Sequence, residues 1–186
     1  MLGERVMVFG QGVVGLLTTA LLACFPLARL VTLDRYAPRR EKSLAMGAHF
    51  SLDPAVPSAL DLEPQADLVY ELSGNPAALD QAIAATGVGG RVVIGSWYGQ
   101  KQIVLNLGGR FHRSRIRLMS SQVSTVAPEW TGRWTQARRF ETAWQMIEQI
   151  KPAQLVTHRF PVEQAAEAYA LLDENPVEAM QVMLTY

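Results

Sequence analysis

The stretch RVMVFGQGVVGLLTTALLAC, residues 5–24, decides how this chain is to be folded. Residues 6–9 form an apolar run of the length of a buried strand, Gly10, Gly12 and Gly15 follow, and residues 13–25 are dominated by apolar side chains. The pattern is strand, glycine turn, helix. Each glycine has its own physical task. Gly10 can turn the chain sharply out of the strand, Gly12 lets a ligand approach the backbone, and Gly15 lets helix and strand pack closely.

The N–H groups of the first helical turn, from the loop at Gln11 through Val13 and Val14, then face outward with the positive end of the helix dipole behind them, a cradle for an anion. A second apolar run at 30–33 ends at Asp34, about 20 residues on, where a carboxylate can accept ribose hydroxyls. Together these features predict a dinucleotide with its pyrophosphate on the helix and its adenosine ribose on Asp34. The plainer reading is that the glycines only let a buried helix cross a strand and that Asp34 is a capping residue. It leaves the order of strand, glycines, helix, strand and acid unexplained.

The 186 residues suffice for one domain with a sizeable core, and 49% hydrophobic and 18% charged residues describe a soluble globular chain. Seventeen basic against seventeen acidic residues leave no overall field to gather nucleic acid or an anionic membrane. Arg133, Arg138 and Arg139 read as a solvated face. No apolar run reaches the ~20 residues of a membrane span and no signal-like segment follows Met1, so a cytoplasmic location is expected. The single cysteine, Cys24, excludes a disulfide framework or a thiolate zinc cluster within these residues and reads as a small core residue.

Further along, strands are expected at 49–52, 67–72 and 91–94 and helices at 39–46, ending at Gly47, and 76–86. The segment 53–65, with Pro54, Pro57 and Pro64, reads as a turn-rich connection. Regular alternation of strand and helix predicts an α/β, doubly wound, mostly parallel sheet with helices on both faces, in a single domain. In such sheets ligands sit beyond the carboxyl ends of the strands, where Gly10, Asp34, Ser73 and Gly95 fall. Residues 103–105 and 116–119 are expected as further strands with a turn or short helix at 107–113 between them. Residues 123–135 form a loop rich in large aromatics, including Trp130 and Trp134. Phe140, Ala143, Trp144, Ile147 and Ile150 stand at helical spacing within 136–150 and read as a core stripe. A strand at 155–160, a helix opened by Pro161 and a strand at 180–184 that closes the sheet complete the chain.

Five blocks carry a resemblance: ERVMVFGQGVVGLL at 4–17, DRYAPRREKSLAMGA at 34–48, ELSGNPAAL at 71–79, GGRVVIGSWYG at 89–99 and THRFPVEQAAEAY at 157–169. In that order they resemble the nucleotide-binding (Rossmann) domain of the medium-chain dehydrogenase/reductase family, the zinc-type alcohol dehydrogenase-like group. The resemblance implies that Gly10, Gln11, Gly12, Val13, Val14 and Gly15 line the pyrophosphate. It places Asp34, Arg35 and Arg39 at the adenosine ribose, and Ser73, Gly74, Ile94, Gly95 and Ser96 beside the nicotinamide half. Met119 corresponds to the strand whose backbone holds the carboxamide, although IRLMSS lacks the glycine that usually follows there.

The implied cofactor is NAD, with NADP the alternative because Arg35 or Arg39 could fold onto a phosphate. The implied reaction is hydride transfer to or from an alcohol or carbonyl substrate. Family members carry their zinc ligands and proton relay on a separate barrel-like catalytic domain, so zinc is expected only through residues outside these 186, and this chain alone is expected to bind cofactor without turnover. A homodimer paired through the edge strands at 103–105 and 116–119 is also implied.

No residue here reads as a catalyst. His49, His112 and His158 lack cysteine partners and i, i+4 pairing, which favours structural or surface roles over a metal site. Tyr98 and Lys101 are one residue too close for a Tyr-x-x-x-Lys pair. A stand-alone NAD-sensing module would show the same glycines and Asp34. A methyltransferase would usually place an acid just before the glycines, where Val8 and Phe9 stand.

Overall fold

In the computed structural model, which describes residues 2–56 and 65–186, the alternating segments become a six-stranded sheet. Its strands are β1 (Arg5–Phe9), β2 (Arg29–Leu33), β3 (Phe50–Leu52), β4 (Ala66–Glu71), β5 (Thr86–Ile94) and β6 (Arg117–Ser120), in the spatial order β3-β2-β1-β4-β5-β6. Every neighbouring pair is parallel. The order reverses between β1 and β4, and such a switch point opens a crevice at the carboxyl edge. Of the 53–65 connection, residues 57–64, including Pro57 and Pro64, lie outside the described residues.

Strand β1 shows why both faces must be covered. Val6 and Val8 point to one side and pack with Leu22 of helix α1 (Val13–Ala23), while Met7 and Phe9 point to the other. That second side meets Leu79 and Ile83 of α3 (Pro76–Ala85). All four β1 side chains are essentially removed from water, each a burial worth about 1.5–3 kcal/mol. The third helix on the sheet, α2 (Ala37–Ala45), begins two residues earlier than its periodicity suggests, because Pro38 is at home in a first helical turn. It is joined to the sheet by buried hydroxyls: Thr32 Oγ1 lies 2.7 Å from Ser43 Oγ and donates to Ser51 Oγ at 2.8 Å.

Several expectations need correction. The glycines at 87–90 lie inside β5, which starts at Thr86, and its pairing with β4 shifts register there. Residues 103–105 form no strand: Ile103 and Leu105 merely pack against the core from an irregular segment. The strand at the end of the chain does not close the main sheet. Instead β8 (Gln181–Thr185) pairs with β7 (Val156–Pro161) in a separate two-stranded parallel sheet, joined through helix α5 (Ala165–Glu174). Cys24 is exposed at the end of α1, and its Sγ accepts from Gln149 Nε2 at 3.3 Å.

The apolar stripe on α4 (Gln136–Ile150) meets the core only at its end, where Ile150 packs against the cluster of Leu16, Ala20, Met46 and Leu155. Phe140 is 55% and Trp144 66% exposed, and no residue of α4 is fully buried. Helical spacing shows that a stripe exists; only partners decide whether it is covered. The nearby arginines lie over aromatic rings, Arg133 over Trp130, Arg138 over Trp134 and Arg139 over Phe140, at 4.4–5.9 Å.

Candidate functional site: the carboxyl edge of the sheet

The loop between β1 and α1 is built by its glycines in three different ways. Gly10 has φ +88°, and a Cβ there would stand 2.7 Å from the backbone of Ser73, so the loop after β4 presses directly against it. A Cβ on Gly15 would lie 1.9 Å from the carbonyl oxygen of Gly10, which is the close helix–strand contact the sequence implies. Gly12 is different: a Cβ there would meet nothing within 4 Å. Gly12 is also the N-cap of α1, no side chain caps the helix, and its first turn holds no acid. The leading N–H groups of α1, at Val13 and Val14, therefore open onto free space with the helix dipole behind them.

Gln11 faces inward. Its side chain is fully buried, donating to the carbonyls of Gly10 (3.0 Å) and Val8 (3.3 Å) and accepting from Thr19 Oγ1 at 2.9 Å. The residue shapes the loop from behind. Its own N–H donates to Asp34 Oδ2 at 2.7 Å, and Asp34 Oδ1 accepts from Tyr36 N–H at 2.8 Å. The carboxylate at the end of β2 thus fastens the glycine loop while keeping a lone pair on each oxygen for a ligand.

Two adjoining clefts share Gly10, Asp34, Arg35, Ser73 and Asn75. The larger, of about 380 Å³, runs from Arg35, Tyr36 and Arg39 past Gly12 to Gly74 and Lys101. The other, of about 270 Å³, is walled by Phe9, Leu33, Pro54, Ala55, Ala77, Ala78 and Gln81, a slot of the apolar kind that suits a flat ring. The guanidinium groups of Arg35 and Arg39 both lie over the ring of Tyr36, at 4.5 and 4.8 Å. Arg39 Nη2 donates to the carbonyl of Pro176 at 2.6 Å, and its buried Nε has no hydrogen-bond partner among the described residues.

Ser73 and Gly74 lie on this wall, whereas Ile94, Gly95, Ser96 and Met119 stand beyond it along the β5–β6 end of the same edge. Ile94 and Met119 end or pair within their strands, and Gly95 and Ser96 donate their N–H groups to the carbonyl of Glu71.

Two residues that bear on the site escape sequence reasoning. Glu71 ends β4 with its side chain wholly buried, where its carboxylate accepts from Ser73 N–H, the Ser73 hydroxyl and the Tyr98 hydroxyl. Burial and the adjacent Glu71 carboxylate push the Tyr98 phenol far above its usual range. The other is Arg40, whose Nη1 donates to the carbonyls of Asp34 (2.8 Å) and Arg35 (2.9 Å) and pairs with Asp53 at 3.2 Å. The one available signal for Glu71 was an acid directly after the run of Leu68, Val69 and Tyr70 in the expected strand DLVYEL at 67–72.

Among the described residues no group of three or more His, Cys, Asp or Glu could hold a metal ion. His49 accepts from Leu30 N–H at 3.0 Å, and His158 lies against Thr157 and Phe160. No zinc-dependent step is assigned to the described residues.

A parallel sheet with this strand order, an open glycine-capped helix and an acid at the end of the second strand defines the class: dinucleotide-binding α/β proteins of the Rossmann type. Within that class the zinc-binding dehydrogenase model matches residues 13–148, and the chain belongs to that family. It is 30% identical over 184 residues to the L-threonine 3-dehydrogenase of Bacillus licheniformis, covering 91% of this chain and 48% of that protein. Rat (Rattus norvegicus) sorbitol dehydrogenase is 26% identical over 176 residues, covering 90% and 46%. The chain spans about half the length of the curated relatives it matches. An Escherichia coli structure described as a short chain alcohol dehydrogenase complexed with NADH has the same fold, with a TM-score of 0.82 at 20% identity, covering 99% of this chain and 52% of that one.

Proposed function

We propose that this chain is the dinucleotide-binding part of a zinc-binding-dehydrogenase-type oxidoreductase, holding NAD so that its nicotinamide can exchange a hydride with an alcohol or carbonyl substrate. One observation carries the reading: of the three loop glycines, Gly10 and Gly15 are crowded by the protein's own backbone, while Gly12 opens onto free space at an uncapped helix N-terminus. A side chain at 12 would occupy that space.

In this reading the N–H groups of Gly12, Val13 and Val14 hold the pyrophosphate and Asp34 accepts the adenosine ribose hydroxyls. Arg35 and Arg39 flank that ribose, and the slot between Leu33 and Ala78 takes the adenine. Ser73, Gly74, Ile94, Gly95, Ser96 and Met119 border the nicotinamide half. When bound, the cofactor supplies the hydride chemistry, and the chain's own residues bind, orient and exclude water.

The substrate, the zinc and the proton relay belong to a catalytic domain, and the exposed stripe on α4 suits contact with such a domain. The unpaired outer edge of β6 supports a homodimer joined strand to strand. Sedimentation or light scattering of the chain at high micromolar concentration tests that pairing, and a monomer removes it.

Isothermal titration with NAD tests the main reading. Binding that Gly12→Asp abolishes without lowering the melting temperature supports it; no binding of NAD or NADP overturns it.

A further inference from the structure

The loops that leave β4 and β5 are joined to each other by a set of hydrogen bonds. The carbonyl of Glu71 accepts from Gly95 N–H (3.0 Å), Ser96 N–H (3.2 Å) and Ser96 Oγ (3.2 Å), and Ser96 Oγ in turn accepts from Gly74 N–H at 2.8 Å. Lys101 Nζ donates to the carbonyl of Gly74 at 3.0 Å. Beneath these contacts lies the Glu71 carboxylate, fully buried and forming no salt bridge among the described residues. A buried carboxylate is tolerated only where donors surround it. Its donors are the N–H and hydroxyl of Ser73 from one loop and the hydroxyl of Tyr98 from the other.

We propose that Tyr98 is a positioning residue for the nicotinamide half of the cofactor, fastening the 95–101 segment to the 73–75 loop through the buried Glu71 carboxylate. This rests on the reading of the chain as dinucleotide-binding. Gly95 and Ser96 hold the start of the segment and Lys101 its end, while between them Trp97 is 92% exposed, which leaves Tyr98 as the tie at its middle. The adenosine end shares Ser73 and Asn75 with this half but is otherwise built around Asp34, Arg39 and Arg40 of β2 and α2, which among the described residues take no hydrogen bond from Tyr98 or Glu71. Losing the phenol therefore loosens one half of the cleft and leaves the other in place.

The test is titration of the chain with AMP and with NADH, alongside the blue shift of NADH emission. For Tyr98→Phe the expectation is about tenfold weaker NADH binding and a smaller blue shift, with AMP affinity changed less than about twofold. Equal weakening of both ligands would mean a general structural role and overturns the proposal, as does unchanged NADH binding. If Tyr98→Phe does not fold, Glu71→Gln weakens the same contact and is read by the same NADH-against-AMP split, an absent split again overturning it. A wild-type chain that binds neither ligand overturns the dinucleotide reading and this proposal with it. A wild-type chain that binds both, with variants that do the same, overturns this proposal alone.

Discussion

Asp34 Oδ2 accepts the backbone N–H of Gln11 at 2.7 Å, so the acid at the end of β2 holds the glycine loop at the end of β1. The same carboxylate lines both clefts. Under the proposed function it would meet a 2′-phosphate with like charge, whereas it would accept from a free ribose hydroxyl. NAD is expected to bind at least about tenfold more tightly than NADP, and Asp34→Ser to shift the preference toward NADP with Arg35 and Arg39 as partners. Calorimetry with both oxidised cofactors decides it, and equal or tighter NADP binding to the unaltered chain refutes the expectation.

The three glycines should separate stability from binding. Gly15→Ala drives a Cβ into the Gly10 carbonyl and Gly10→Ala places one against Ser73 at positive φ, so each should cost about 3 kcal/mol and lower the melting temperature by roughly 6–12 °C. Gly12→Ala should change stability by no more than about 0.5 kcal/mol while weakening NAD. Thermal melts beside titrations check both, and a large loss of stability at Gly12 would count against its being kept free for a ligand.

Trp144, 66% exposed on α4, gives a third test. Trp144→Ser is expected to raise solubility and leave the melting temperature within about 2 °C, because little packing is lost. A core tryptophan would instead cost about 3–5 kcal/mol, and a melt of that size would return the α4 stripe to the interior.

Alkaline pH should report the two half-buried phenols, Tyr70 and Tyr98. Burial raises both Tyr70 and Tyr98 above the usual value of 10.0, for Tyr98 with the help of Glu71. The folded chain therefore keeps protons that the unfolded chain gives up. The stabilisation is fully present below pH 10 and is lost as pH climbs toward the folded-state values. Denaturant melts between pH 9 and 11 should show a falling midpoint, with a shallower fall in Tyr98→Phe; identical slopes would contradict it.

How much was legible in the sequence follows from how local each signal was. The β1–α1–β2 unit was readable because Gly10, Gly12, Gly15 and Asp34 act within 30 residues of one another. The Glu71–Tyr98 contact spans 27 positions and two different loops, and neither residue type announces it. Residues 103–105 have the composition of a strand but no neighbour to pair with, since β6 already occupies the edge of β5. The α4 stripe and the placement of β8 failed for a related reason: periodicity gives an element its faces, and only the assembled fold supplies what lies opposite.

Arg39 stands with its guanidinium on the wall of the main cleft and its Nη2 on the carbonyls of Pro176 and Ala179 at 2.6 and 3.4 Å. Those carbonyls belong to the turn that leads into β8, at the far end of the chain. A ligand that draws this guanidinium toward itself has to slacken its hold on that turn, and a turn pulled away from α2 has to carry the guanidinium with it. One side chain thus moors the wall of the cleft to a turn 137 positions further along the chain.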